Sequence, residues 1–176
     1  PDVRRMLLSM RARTLACRMI CYAAAGAIDR ARYGKEEGAR AAAKMRADLL
    51  TPLAKAYSSD SAVEVASLGV QVHGGMGYIE ETGAAQFFRD SRIAPIYEGT
   101  NGIQAIDLVT RKLAMAGGEA VKAFIAEMGQ TAREAGAVNR AEFGQMGARP
   151  PAAPRPPVGA TALVPRPAGP PHRRAL

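Results

Sequence analysis

From Asp2 to Tyr33, the residues Val3, Met6, Met10, Cys17, Cys21, Ala24 and Ile28 recur at steps of three, four and seven. On a helix this spacing makes one apolar stripe. Arg4, Arg5, Arg11, Arg18 and Arg30 fall largely off it. The spacing predicts a single long helix over residues 2–33, with Gly34 as its C-terminal stop. Such a helix has to lay its stripe against other elements, and the composition favours further helices. Aromatics are 5% of the chain, Trp is absent, and the hydrophobic content is 48%. Ala, Leu, Ile, Val and Met dominate it, a mix that suits helix better than strand.

Five more helices are expected before the chain changes character. The Ala-rich stretch 35–57 reads as a second helix, with a kink or break at Pro52. Ser59 or Asp60 reads as the cap of a third helix running to Val72, with Glu64 placed for a capping box. Val63, Val65, Leu68, Val70 and Val72 make that helix apolar nearly all round, so it should be central. Gly74, Gly75 and Gly77 end it. A short helix over 82–90 and a turn over Ile93–Gly99 around Pro95 follow. Thr100 then caps a helix from Asn101 to Met115, with Ile103, Ile106, Thr110 and Leu113 facing inward. After Gly117-Gly118 a weaker helix is expected over 119–134. The fold class is therefore all-α, an antiparallel bundle of helices 2–33, 35–57, 59–73 and 100–115. Residues 1–117 form the bundle, 118–147 an additional helical segment, and 148–176 a tail.

Nine of the 12 Pro lie in that tail, which has five Arg and no acid. It cannot bury enough apolar surface to offset its ordering entropy, so disorder is expected. It reads as a tail with no role, as a Pro/Arg-rich ligand, or as the product of a frameshift near residues 149–150. The tail also holds most of the net charge of +8. The remainder has 19 bases against 16 acids. A nucleic-acid binder is disfavoured, because the basic segment has no aromatics for base stacking. Cys17 and Cys21 are expected to be small core residues, and with only two His no metal site is expected. No run of 18 apolar residues exists, so no membrane partner is expected. Arg11, Arg13 and Arg18 interrupt the only stretch resembling a signal peptide. A cytoplasmic chain is expected, and its start at Pro1 suggests processing or excision from something longer.

Two segments could carry chemistry. Gln71-Val-His-Gly-Gly-Met-Gly-Tyr78 has three Gly in four positions at a helix end. That is either a Gly-rich C-cap or a place where backbone approaches an anionic ligand. In Arg89-Asp-Ser-Arg-Ile-Ala-Pro-Ile-Tyr-Glu-Gly-Thr-Asn-Gly-Ile-Gln104, Glu98 sits in a tight, largely apolar turn just before a helix cap. It is either a solvated loop Glu or a desolvated carboxylate fit to act as a general base.

Taken together, QVHGGMGY and FFRDSRIAPIYEGTNGIQ resemble the paired signature of the C-terminal domain of acyl-CoA dehydrogenases. The resemblance runs from Pro1 through Leu113 and on toward Gly147. QVHGGMGYIEETGAAQ and TNGIQAIDLVTRKL are similar to the larger bacterial subgroup that includes 3-methylmercaptopropionyl-CoA dehydrogenase.

The resemblance implies a four-helix bundle that follows an N-terminal helical domain and a middle β-domain and also builds a homo-oligomer. It implies α,β-dehydrogenation of an acyl-CoA thioester, with FAD as cofactor and an electron-transfer flavoprotein as redox partner. It assigns Glu98 as the base that takes the α-proton and places Gly99 at the substrate. Gln71, Val72, His73, Gly74, Gly75, Thr100, Asn101 and Gly102 are the implied FAD contacts, those of the 71–75 segment serving FAD held mainly by a neighbouring subunit. The β-domain that covers the flavin in the family has no counterpart here, so the isolated chain is expected to be inactive. The alternative reading is a non-catalytic helical oligomerisation module.

Overall fold

The structure, a computed structural model, describes residues 1–137. The expected tail and the end of the 118–147 segment lie outside the described residues. Among those described there is no strand. The all-α expectation holds, and it rests chiefly on two long helices.

The first, α1, spans Asp2–Tyr33 as the apolar stripe predicts. Asp2 in its first turn and Arg30 and Arg32 in its last complement the helix dipole. Gly34 ends it, though not by the left-handed turn usual at such a stop. Its φ is −60°, and an added Cβ would stand 2.6 Å from the Arg30 carbonyl oxygen, so the site needs Gly for space. Met6, Ala24 and Ala27 are buried, while Val3 and Ile28 stay exposed. Cys17 is half-buried and Cys21 exposed, so neither is the core residue expected.

The second helix, α2, runs unbroken over Glu37–Val72. It replaces the two helices expected at 35–57 and 59–73. Pro52 lies inside it and is buried. It has no N–H for the carbonyl one turn back, a cost of about 3 kcal/mol in an unsupported helix interior. Here packing supports the helix on both sides: Ala43, Ala47, Leu49 and Leu50 are buried before Pro52, and Ser59 and Ser61 after it. Ser59 is no cap. Its hydroxyl donates to the Lys55 carbonyl at 2.7 Å, within the helix. Glu64 forms no capping box and instead pairs with Arg13 at 2.6 Å. Cys21 meets Ser58 (3.6 Å), Arg13 meets Glu64, and Met10 lies beside Gly69. As one number rises the other falls, so α1 and α2 are antiparallel.

After α2 come α3 (Gly75–Tyr78), a 3₁₀ turn at Glu80–Thr82 and α4 (Ala84–Ser91). Gly83, at φ 82°, makes the turn into α4. α5 covers Asn101–Asp107, and its last turn widens to a π-turn over Leu108–Lys112. Ile103 and Ile106 are exposed, contrary to the inward face expected for them. Asn101, Gln104 and Asp107 are the half-buried positions of that helix. α2 receives α4 and α5, as well as α1.

The chain divides into two compact units, residues 1–112 and a second from Leu113 onward. In the second, Ala116 and Gly117 take left-handed angles inside the turn Met115–Gly118, and α6 covers Glu119–Ala137.

Candidate active site

The turn before α5 is fastened at both ends. The Ile93 carbonyl accepts from the N–H groups of Ile96 (2.9 Å) and Tyr97 (3.2 Å), and the Pro95 carbonyl accepts from Asn101 N–H (3.0 Å). Between these bonds Glu98 and Gly99 both take left-handed conformations, at φ 53° and 82°. For Gly99 this is easy; for a glutamate it is not. Thr100 returns to extended geometry, and its Oγ1 accepts from Ile103 N–H at 3.2 Å, the cap expected from sequence. Gly102 follows in the first turn, exposed.

Glu98 is exposed, as are Ile96 and Tyr97 beside it. Of the two readings open for Glu98, this chain by itself presents the solvated loop carboxylate, because the apolar side chains beside it turn to solvent and not over it. Glu98 and Gly99 border a groove of about 530 Å³ with Ile103, Gln104, Asp107 and Arg111. The Arg111 guanidinium is hydrogen-bonded to Asp107 and attracted by its charge, which raises its pKa above the usual arginine value.

The Gly-rich segment stands at the far end of α2. The His73 ring Nδ1 lies 2.8 Å from the Gly69 carbonyl, which can only accept, so Nδ1 carries the proton. Gln71, His73, Gly74 and Gly75 are exposed and Val72 is half-buried. The glycines differ in what requires them. Gly74 turns the chain at φ 63°. A Cβ on Gly77 would stand 2.2 Å from the Val70 carbonyl oxygen, so close packing fixes that residue. At Gly75 neither holds: its φ is ordinary and nothing lies within 4 Å of a built Cβ. Sequence reasoning grouped the three; only the fold separates them.

The two segments do not converge. Asn101 docks on Lys55, Ala56, Ser59 and Asp60, while Gln71 is eleven residues beyond Asp60. That is about 16 Å along the helix axis. A second cavity of about 570 Å³, not foreseen from sequence, lies among α1, α2 and α4, lined by Met10, Cys17, Val65, Gly69, His73 and Phe87. Among the described residues no group of three or more His, Cys, Asp or Glu could hold a metal. None of the described helices is long and apolar enough to cross a membrane.

The family model described as "Acyl-CoA dehydrogenase, C-terminal domain" matches residues 1–114, taking in both segments. The chain belongs to the acyl-CoA dehydrogenase family. It is 59% identical over 128 residues to a 3-methylmercaptopropionyl-CoA dehydrogenase of Ruegeria pomeroyi, a match covering 73% of this chain and 21% of that protein. Against a butyryl-CoA dehydrogenase of Syntrophomonas wolfei it is 41% identical, with the same coverages of 73% and 21%. The fold is similar to that of Caenorhabditis elegans ACDH-11, solved in complex with C11-CoA: TM-score 0.61, 26% identity, 75% of this chain and 24% of that one. The chain thus spans about a fifth of the length of the curated acyl-CoA dehydrogenases it matches.

Proposed function

We propose that this chain supplies the C-terminal helical part of an FAD-dependent acyl-CoA dehydrogenase, which converts an acyl-CoA thioester to its trans-2-enoyl-CoA, with Glu98 as the base. The observation that carries this reading is a glutamate at φ 53° next to Gly99, held by hydrogen bonds on both sides of the turn. Surroundings must over-determine such a residue, and strain of this kind concentrates at working sites. That the C. elegans neighbour was solved with C11-CoA supports an acyl-CoA substrate.

Glu98 does one job in this reading. Its carboxylate receives the α-proton of the thioester, a weak carbon acid whose removal needs a positioned base. Gly99 has no Cβ to keep the thioester from the turn. FAD, when bound, supplies the acceptor for the hydride leaving the β-carbon. The residues fit such a nucleotide in part. Gly74 and Gly75 offer exposed backbone with clear space above it, flanked by Gln71, Val72 and His73. Thr100 keeps its hydroxyl hydrogen for a ligand while its oxygen caps α5, and Gly102 leaves the first turn of α5 open. Asn101 fits least well, since its side-chain amide is committed to α2.

Glu98 is exposed here, so the parts of the enzyme that this chain does not span must cover it before its carboxylate is desolvated. The isolated chain is therefore inactive and free of flavin. Homo-oligomer formation, an electron-transfer flavoprotein as electron acceptor and a cytoplasmic location belong to the same reading.

The test is co-expression with a polypeptide corresponding to the remainder of the relatives. Glu98→Gln keeps the shape of the side chain but cannot take the proton, so turnover should fall by about 10²–10⁴ with flavin content retained. Full activity of Glu98→Gln, or stoichiometric FAD in the isolated chain, would overturn the proposal.

A further inference from the structure

α5 turns a polar face to α2. None of its residues is buried, and Ile103 and Ile106 are 53% and 58% exposed. Apolar burial is not what seats this helix. Asn101 does it. Its Oδ1 accepts from Lys55 Nζ at 2.8 Å, and its Nδ2 donates toward Asp60 Oδ1 (2.7 Å), Ser59 Oγ (2.9 Å) and the Ala56 carbonyl (3.2 Å). The amide has one possible orientation, since an ammonium can only donate and a carboxylate can only accept. The backbone N–H of the same residue closes the 93–99 turn by donating to Pro95. One side chain and one N–H thus tie α2, the turn and the start of α5 together. The strained Glu98 lies three residues upstream.

We propose that Asn101 is a positioning residue for Glu98. By fixing the start of α5 to Lys55, Ser59 and Asp60, it holds Glu98 and Gly99 in their left-handed conformations and sets where the carboxylate stands. This rests on Glu98 being the base. It departs from the FAD contact that family resemblance implies for Asn101, because both amide hydrogens already face acceptors in α2 and the oxygen already holds a cation.

The test begins with amide hydrogen exchange on the full chain. Asn101→Asp keeps the Lys55 contact but sets a carboxylate oxygen against the Ala56 carbonyl and Asp60. Exchange at residues 97–101 should rise about tenfold, with the buried stretches of α1 and α2 unchanged. Asn101→Ala, which loses both halves of the clamp, should rise further. The double variant Asn101→Asp/Asp60→Asn restores a donor opposite the new carboxylate and should return exchange toward the original rate. In the co-expressed enzyme Asn101→Asp should lower kcat with KM and flavin content held. Unchanged exchange, a double variant no better than the single, or loss of flavin in place of kcat would each overturn the proposal. Retained turnover in Glu98→Gln would instead remove the base, and the exchange results would still report the clamp.

Discussion

Glu98 and Gly77 show two ways a single position is fixed. At φ 53° Glu98 carries a backbone strain of about 1–2 kcal/mol. Asn tolerates that region because its short side chain bonds locally. Glu98→Asn should therefore stabilise the isolated chain by about 0.5–1 kcal/mol, read as a higher urea midpoint, whereas Glu98→Gln should leave the midpoint in place. The strain was not legible in the sequence, where Glu98 stood out only by its neighbours. Gly77 is fixed by space: Gly77→Ala drives a methyl into the Val70 carbonyl oxygen, 2.2 Å away, and should cost about 1–3 kcal/mol. Gly75→Ala meets nothing within 4 Å and should leave the midpoint unmoved. In the co-expressed enzyme, Gly75→Val should instead lower flavin content before it affects folding.

At the scale of elements, α2 decides the fold. Its Leu50 is 1% exposed, the most enclosed large side chain among the described residues. Leu50→Ala should cost about 2–5 kcal/mol in a denaturant titration, and Leu15→Ala, on an exposed face of α1, far less. The Arg13–Glu64 pair is largely solvated, so Glu64→Gln should cost no more than about 1 kcal/mol. Had Glu64 capped a separate helix, the residue at its cap, and not Arg13, would share that loss. The boundaries of α1 and the Thr100 cap were legible because they depend on local pattern. The continuity of α2 was not, since Pro52, Ser59 and Asp60 are all local stop or start signals. Packing against α1 on both sides of Pro52 outweighs them.

At the scale of the whole molecule, the unit 1–112 leaves many large apolar side chains uncovered. Leu8, Leu15, Met19 and Tyr22 of α1 are exposed, as are Phe87 of α4 and Ile96 in the turn before α5. Two long helices cannot cover each other on every face, and apolar surface of this extent favours association. The isolated chain should form oligomers or aggregate at micromolar concentration, measured by light scattering. A clean monomer that stays soluble at high concentration would count against an interface on these faces.

By itself the sequence determined the all-α class, the extent of α1, the cap of α5 and the two segments that mark the family. These follow from period, capping chemistry and motif, which act over a few residues at a time. The tertiary structure decided what no local rule contains. It joined two expected helices into α2 and turned Ile103 and Ile106 outward. It left Glu98 exposed in a strained turn and gave Asn101 to α2. Each depends on partners dozens of residues away in the chain, and it is their packing and hydrogen bonds, summed in three dimensions, that overrule local preference.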